Sequence, residues 1–189
     1  VAFRTCGDAL HHHGVNYRTV LAGGHCWMSE PLRAVQFADG TPMNELRSSA
    51  AWQDAAAGWC VYDSLRHHAE LAGLIYNGFA ALTEEHGGVC PAEWHVASRA
   101  DWEALQAAFG LKGTALKSRE WDGTDASGMG LVPGGFRETT GEYVAWGTTA
   151  VYWTAEPAGI LHSIASGNLP TTHSAHPLNT GASILCVQD

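Results

Sequence analysis

Residues 87–105 read Gly-Gly-Val-Cys-Pro-Ala-Glu-Trp-His-Val-Ala-Ser-Arg-Ala-Asp-Trp-Glu-Ala-Leu. The run opens on a turn, sets Cys90 against Pro91 and closes on a helix start. Ser98 precedes apolar residues at Trp102, Leu105, Ala108 and Phe109, the spacing of one helical face. Asp101 stands three residues after Ser98, a capping box with Asp where Glu or Gln is usual, and Gly110 ends the helix. Pro91 disfavours helix at Cys90, so Cys90 and Trp94 enter along an extended segment. The Cys-Trp-His group is then either a reactive site or a tie between this helix and a distant strand.

The setting is narrowed by composition. At 189 residues the chain is long enough to bury a substantial core. Hydrophobic residues make up 46% and charged residues only 15%, which argues for a folded chain rather than a disordered one. The net charge of −9 argues against nucleic acid as a partner, since that function leaves a basic footprint. The sequence holds no apolar run long enough for a membrane span and no signal peptide. It begins at Val1, which fits a mature, processed product and equally a trimmed chain.

Five cysteines stand far apart, at 6, 26, 60, 90 and 186, with no CxxC, so a zinc knuckle or thioredoxin-type motif has no support. In an oxidising compartment four would pair and one would remain. The favoured pairs are Cys6 with Cys26 and Cys90 with Cys186, closures worth about 3 and about 5 kcal/mol in the chain-entropy model. Cys60, in Trp59-Cys60-Val61-Tyr62, sits among bulky apolar residues and reads as a buried free thiol, unreactive because apolar burial raises a thiol pKa.

Along the rest of the chain, glycines punctuate short elements. Val15 to Leu21 alternates as a strand, and Gly23-Gly24 turns it into a second, His25 to Met28. Ser64 to Glu85 is expected to be helical, with Leu65, Leu71, Leu74, Ile75, Phe79 and Leu82 on one side. Gly73 and Gly78 each weaken that helix by about 1 kcal/mol against Ala. Tyr143 to Trp153 and Ile184 to Val187 read as strands. There is no internal repeat and no low-complexity linker. The expected fold class is α+β, one domain over residues 1–189 with long loops, residues 1–40 forming an N-terminal hairpin extension packed on it.

Six segments in order resemble the Fibrobacter succinogenes major paralogous domain family, a bacterial branch of the C-type-lectin-like and formylglycine-generating-enzyme fold. Gly24-His25-Cys26-Trp27-Met28-Ser29-Glu30-Pro31-Leu32-Arg33 resembles its Trp-Met-x-Glu-Asn-Leu segment, with Pro31 for Asn. Ala38-Asp39-Gly40-Thr41-Pro42, Trp59-Cys60-Val61-Tyr62-Asp63 and Leu74-Ile75-Tyr76-Asn77 follow its pattern. Cys90-Pro91-Ala92-Glu93-Trp94-His95-Val96 resembles its Cys-Pro-x-Gly-Trp-His-Val signature, with Glu93 for Gly. Leu131-Val132-Pro133-Gly134-Gly135-Phe136-Arg137 and Ser183-Ile184-Leu185-Cys186-Val187-Gln188-Asp189 complete the set. Two segments depart: Tyr152-Trp153-Thr154-Ala155-Glu156 stands for Trp-Trp-Ser-Ser-Thr, and Gly181-Ala182-Ser183 for Gly-Phe-Ser. Residues 157–177 are unlike the family pattern. The resemblance implies a C-type-lectin-like fold with two main helices, short twisted antiparallel sheets and long loops. It also implies that Cys90 bonds Cys186, which makes Cys90 structural rather than catalytic.

Three chemistries deserve weighing. A lectin-type calcium site needs a Glu-Pro-Asn or Gln-Pro-Asp motif and a later Trp-Asn-Asp, within six to eight oxygens. Glu156-Pro157-Ala158 is the nearest approach, and Ala158 has no side-chain oxygen. Asp122 and Asp125 beside glycine-rich carbonyls are an alternative calcium locus, whose plain reading is a solvated turn. The formylglycine-generating relatives hold copper on a cysteine pair, and Cys60 alone cannot make that site. The histidines, including His11-His12-His13 and His67-His68, lack the spacing of a tetrahedral metal set. No metal, cofactor or catalytic residue is expected, so the chain is read as no enzyme.

Of the eight tryptophans, Trp27, Trp94, Trp102 and Trp153 fall in core-like or motif positions, while Trp52, Trp121 and Trp146 lie in loop-rich contexts. Residues 156–177 carry Ile160, Leu161, Ile164 and Leu169, an apolar load too large for a solvated loop. The candidate contact surface is therefore Trp121, Trp146, Ile160, Leu161 and Leu169, since loops on a rigid scaffold concentrate binding. The expectation is a non-catalytic, disulfide-stabilised module, secreted or at the cell surface, adhesive or assembly-forming. Its partner would be a protein or a second copy, with calcium-independent glycan binding as the alternative and a metal-dependent enzyme a remote one.

Overall fold

A computed structural model describes residues 3–54 and 56–189. The first part of the chain forms β1 (Leu10–His12), β2 (Val15–Tyr17), β3 (Thr19–Ala22), β4 (His25–Met28) and β5 (Asn44–Glu45). Then come α1 (Ser49–Gln53), β6 (Gly58–Cys60), α2 (Arg66–Ala72), β7 (Ile75–Asn77) and α3 (Gly78–Ala81). The middle carries β8 (Trp94–Val96) and α4 (Arg99–Phe109), followed by β9 (Gly134–Arg137), β10 (Tyr143–Trp146) and β11 (Thr149–Trp153). Last are β12 (Ile160–Ala165), β13 (Thr172–Ala175), β14 (Gly181–Ala182) and β15 (Cys186–Gln188). The protein is mixed α+β, mostly sheet, and among the described residues no helix is long and apolar enough to cross a membrane.

The strands form a β1–β2 hairpin, a four-stranded sheet in the order β3-β4-β15-β8, and a larger sheet running β13-β12-β11-β9-β14-β7-β6-β5 with β10 beside β9. Pairing is mostly antiparallel; β5–β6 and β11–β9 are parallel. Alternation along the end of the chain explains the layering. Ile184 and Cys186 face a core with Met28, Leu32, Tyr76, Trp94 and Trp153. Leu185 and Val187 face a second, with Trp27, Trp102, Leu105 and Trp121. A strand buried on both faces reads as a continuous apolar run, as Ile184-Leu185-Cys186-Val187 does.

Helix α4 forms as its sequence dictates. Ser98 Oγ accepts from Asp101 N–H and the Asp101 carboxylate accepts from Ser98 N–H, a complete capping box. Trp102 and Leu105 are buried on its inner face, whereas Ala108 is exposed.

The helix expected over residues 64–85 is not continuous. It breaks into α2, β7 and α3 because Gly73 takes φ +76° and packs so tightly on Pro31 that a Cβ there would lie 2.6 Å from Pro31 Cβ. Leu74 N–H then donates to Leu32 O at 3.0 Å, and Ile75 and Tyr76 pair with β6. Leu65 and Leu71 are exposed; α2 buries His68 and Ala72 instead. Of the two main helices expected, only the second is long. The strand read over residues 143–153 likewise divides at Gly147 into β10 and β11.

Cys6 bonds Cys26 and Cys90 bonds Cys186. The second bridge joins the segment before β8 to the strand paired with β8, so the Cys-Trp-His run is a tie between helix and strand. Cys60 is free and buried, and burial pushes its thiol pKa up despite the nearby Arg137 guanidinium. The β1–β2 hairpin is held by ring nitrogens: His12 Nε2 lies 3.2 Å from Val89 O and His13 Nε2 lies 2.8 Å from Phe37 O. The β3–β4 hairpin joins the four-stranded sheet directly, Trp27 pairing with Val187.

Candidate contact surface

Residues 156–177 are a β-hairpin, not an irregular loop. Strand β12 pairs with β11 from Trp153↔Leu161 to Thr149↔Ala165, and its other edge carries β13. Strand β12 is buried on both faces: His162 and Ile164 turn toward Trp102 of α4, and Leu161 toward the opposite core. The His162 ring stacks on Trp102 with centroids 4.0 Å apart and 12° between planes. Its Nδ1 sits 3.0 Å from His173 Nε2. Burial, then the His173 charge, holds His162 well below the usual histidine range. The apolar load of this segment thus closes the sheet over α4.

This placement divides the five candidate residues. Leu161 (1% exposed) and Trp121 (6%) are core, a correction to their expected role. The cause is pairing: Leu161 faces the cluster of Trp153 and Val151, and Trp121 Nε1 donates to Ser166 Oγ at 3.0 Å under the hairpin. Ile160 is half-buried. Trp146 is half-buried elsewhere, with its ring 3.8 Å from His68 and 4.9 Å from Tyr62. Leu169 remains 56% exposed at the hairpin turn.

What Leu169 meets there was invisible in the sequence. Gly113 N–H donates to Leu169 O and Thr171 N–H to Leu111 O at 3.0 Å, so residues 111–113 run antiparallel to residues 169–171. Lys117 Nζ donates to Gly167 O at 2.7 Å and Thr114 Oγ1 to Asn168 Oδ1 at 3.0 Å, fixing the turn. Leu111, 66% exposed, stands opposite Thr171, and Leu169 opposite Gly113, so the two leucines lie diagonally about the Lys112–Pro170 bridge. Beside this pair runs β13, Thr-His-Ser-Ala, the outer strand of the large sheet, without a charged residue. Edge strands usually carry Lys, Pro or a bulge that blocks pairing; here Pro170 and Pro177 stand outside the strand.

Other candidates are engaged structurally. Glu156 Oε1 accepts from Arg99 N–H at 2.7 Å, capping α4. Asp125 Oδ1 accepts from Gly130 N–H at 2.7 Å, closing its own loop. Among the described residues no group of three or more His, Cys, Asp or Glu side chains is placed to hold a metal ion. The densest ionisable cluster surrounds Asp101. Its carboxylate lies 3.1 Å from His95 Nε2 and 3.0 Å from His25 Nδ1, and His95 Nδ1 lies 2.7 Å from Asp189. Both ring nitrogens of His95 are occupied, so it anchors the end of β15 rather than offering a free base.

The family model described as Fibrobacter succinogenes major domain matches residues 20–188. No curated protein and no solved structure matches the chain significantly.

Proposed function

We propose that this chain, which belongs to the Fibrobacter succinogenes major domain family, is a non-catalytic contact module that works outside the cell, secreted or on its surface. A C-type-lectin-like architecture is part of the same reading. One observation carries it: Leu111 and Leu169 stand exposed diagonally about the Lys112–Pro170 bridge, beside a neutral edge strand. An uncharged sheet edge flanked by apolar side chains is suited to pairing with another protein, and we take a second copy of this chain as that partner. The two disulfides fit an oxidising setting. Glycan stacking on Trp146 is less favoured, because His68 and Tyr62 already lie against its ring.

The test is sedimentation velocity across a concentration series, with Leu111→Glu, Leu169→Glu and Leu161→Ser variants. The expected result is concentration-dependent association, abolished by either Glu substitution at unchanged melting temperature. Leu161→Ser should instead lower stability by about 2–5 kcal/mol, the usual range for truncating a buried leucine. A protein that stays monomeric at every concentration, or associates equally with both Glu variants, would sink the proposal. Specific binding on a glycan array that is unaffected by those substitutions would replace it with the lectin reading.

A further inference from the structure

A cleft of about 360 Å³ runs beside β8, lined by Trp94, His95, Val96, Leu82, Glu84 and Val89 among others. Strand β8 is the outer strand of the four-stranded sheet. Asp189 N–H donates to Glu93 O at 3.0 Å and Ala97 N–H to Leu185 O at 2.9 Å, while His95 stands opposite Val187. The Glu93 carbonyl, His95 and the Ala97 N–H are therefore directed at β15. Antiparallel alternation sends the backbone groups of Trp94 and Val96 the other way, toward the cleft. Trp94 N–H turns back to Pro91 O at 3.0 Å. The Trp94 carbonyl and both backbone groups of Val96 have no backbone partner among the described residues. Ala155 N–H, bonded to Ala97 O at 3.2 Å, closes the edge at one end.

We infer that this groove binds an extended, cationic peptide as a fifth strand beside β8. The backbone groups call for an extended chain, because only another strand matches their spacing. Charge selects its side chains. Glu84 is exposed on the groove wall, and the charge of His95 is already matched by Asp101 and Asp189, to which both its ring nitrogens are bonded. None of the residues lining the groove is Lys or Arg. Leu82 and Val89 offer an apolar wall for the alternate side chains. This site is separate from the Leu111–Leu169 face, so either can fail without the other.

The probe is a fluorescein-labelled Lys-Val-Lys-Val-Lys-Val peptide, titrated with the intact, oxidised protein and read by fluorescence polarisation. Binding should saturate, weaken with salt, and fall about tenfold when alternate peptide nitrogens are methylated, the effect of losing about one net hydrogen bond to an edge. Glu84→Lys, at an exposed position, should weaken it several-fold without altering the melting temperature. Hydrogen exchange should show the Val96 amide newly protected in the complex. No saturable binding up to about a millimolar, equal binding of the N-methylated peptide, or equal binding of Glu-Val-Glu-Val-Glu-Val would each overturn the inference.

Discussion

Asp101 meets His95 at 3.1 Å with the same carboxylate that caps helix α4. Burial opposes charge on His95, but its hydrogen bonds to Asp189 and Asp101 outweigh that and raise its pKa above 6.5. Burial likewise opposes charge on Asp101, and bonds from Ser98 and His95 overcome it, lowering the carboxyl below 3.8. One interaction therefore couples a helix start to the edge of the neighbouring sheet.

The pH response of this pair follows from those signs. The histidine contribution is complete below 6.5 and is lost as pH rises through the raised folded value. The carboxylate contribution is complete above 3.8 and is lost as pH falls through the lowered folded value. Asp101→Asn should therefore lower the melting temperature most near about pH 5.5 and less near about pH 8.5. His12 acts oppositely. Burial and then the His13 charge lower it to about 4, so its contribution is present above 6.5 and is lost as pH falls toward 4. His12→Asn should flatten the acid limb of a melting-temperature profile, removing up to roughly 3 kcal/mol of pH-dependent stability. An unchanged acid limb would contradict the assignment.

Glu93 has φ +66°, the left-handed region where a side chain is strained and glycine is not. The signature that residues 90–96 resemble has Gly at this position. Glu93→Gly should stabilise the protein by about 0.5–1 kcal/mol, the relieved strain exceeding the backbone entropy glycine adds. Urea denaturation of the two proteins decides this; a destabilised variant would mean that the Glu93 side chain contributes more than its backbone costs.

Arg137 is 1% exposed and, among the described residues, bonds no carboxylate. Its guanidinium donates to the carbonyls of Gly141, Leu46 and Arg47 and lies over the rings of Trp52 and Tyr143 at 4.5 and 4.6 Å. Arg137→Ala should cost about 3–5 kcal/mol, because three carbonyls lose donors and a cavity opens. Arg137→Lys should cost less than Ala but remain damaging, since one ammonium cannot span three acceptors in a plane. Equal stability of Arg137→Lys and the parent would show that charge alone suffices.

Thiol labelling should modify Cys60 alone, and only once the protein is unfolded under non-reducing conditions. The Cys90→Ala, Cys186→Ala double variant should lose about 2–5 kcal/mol. Labelling of Cys90 or Cys186 in the native protein would contradict the bridge.

Local chemistry and the Cys90–Cys186 pairing were legible; the strand pairing of distant segments was not. The Ser98–Asp101 box needs three residues of separation and appears as read. The order of cysteines and glycine-rich motifs along residues 20–188 carried the family. The helix over 64–85 failed because Leu71, Leu74 and Ile75 have helical spacing, and Pro31 alone decides that Gly73 must turn. Leu161 and Trp121 looked available because their cover, β11 and Ser166, comes from other parts of the chain. Leu111 passed unnoticed for a related reason: only the distant Lys112–Pro170 bridge sets it near Leu169. Trp52 reads as a loop residue, yet Arg137 stacks on it and its Nε1 donates to Asn179 O at 2.7 Å.

Strand β15 lies between β4 and β8 and completes both cores, although it comprises residues 186–188. During synthesis, a nascent chain that has not yet released those residues lacks the strand joining its first hairpin to the α4 region. Until then Trp94 lacks one complete core to enter, and Trp27 and Trp102 lack the other. A nascent chain is therefore obliged to expose apolar surface until β15 joins it, and the Cys90–Cys186 bond can form only after Cys186 has emerged.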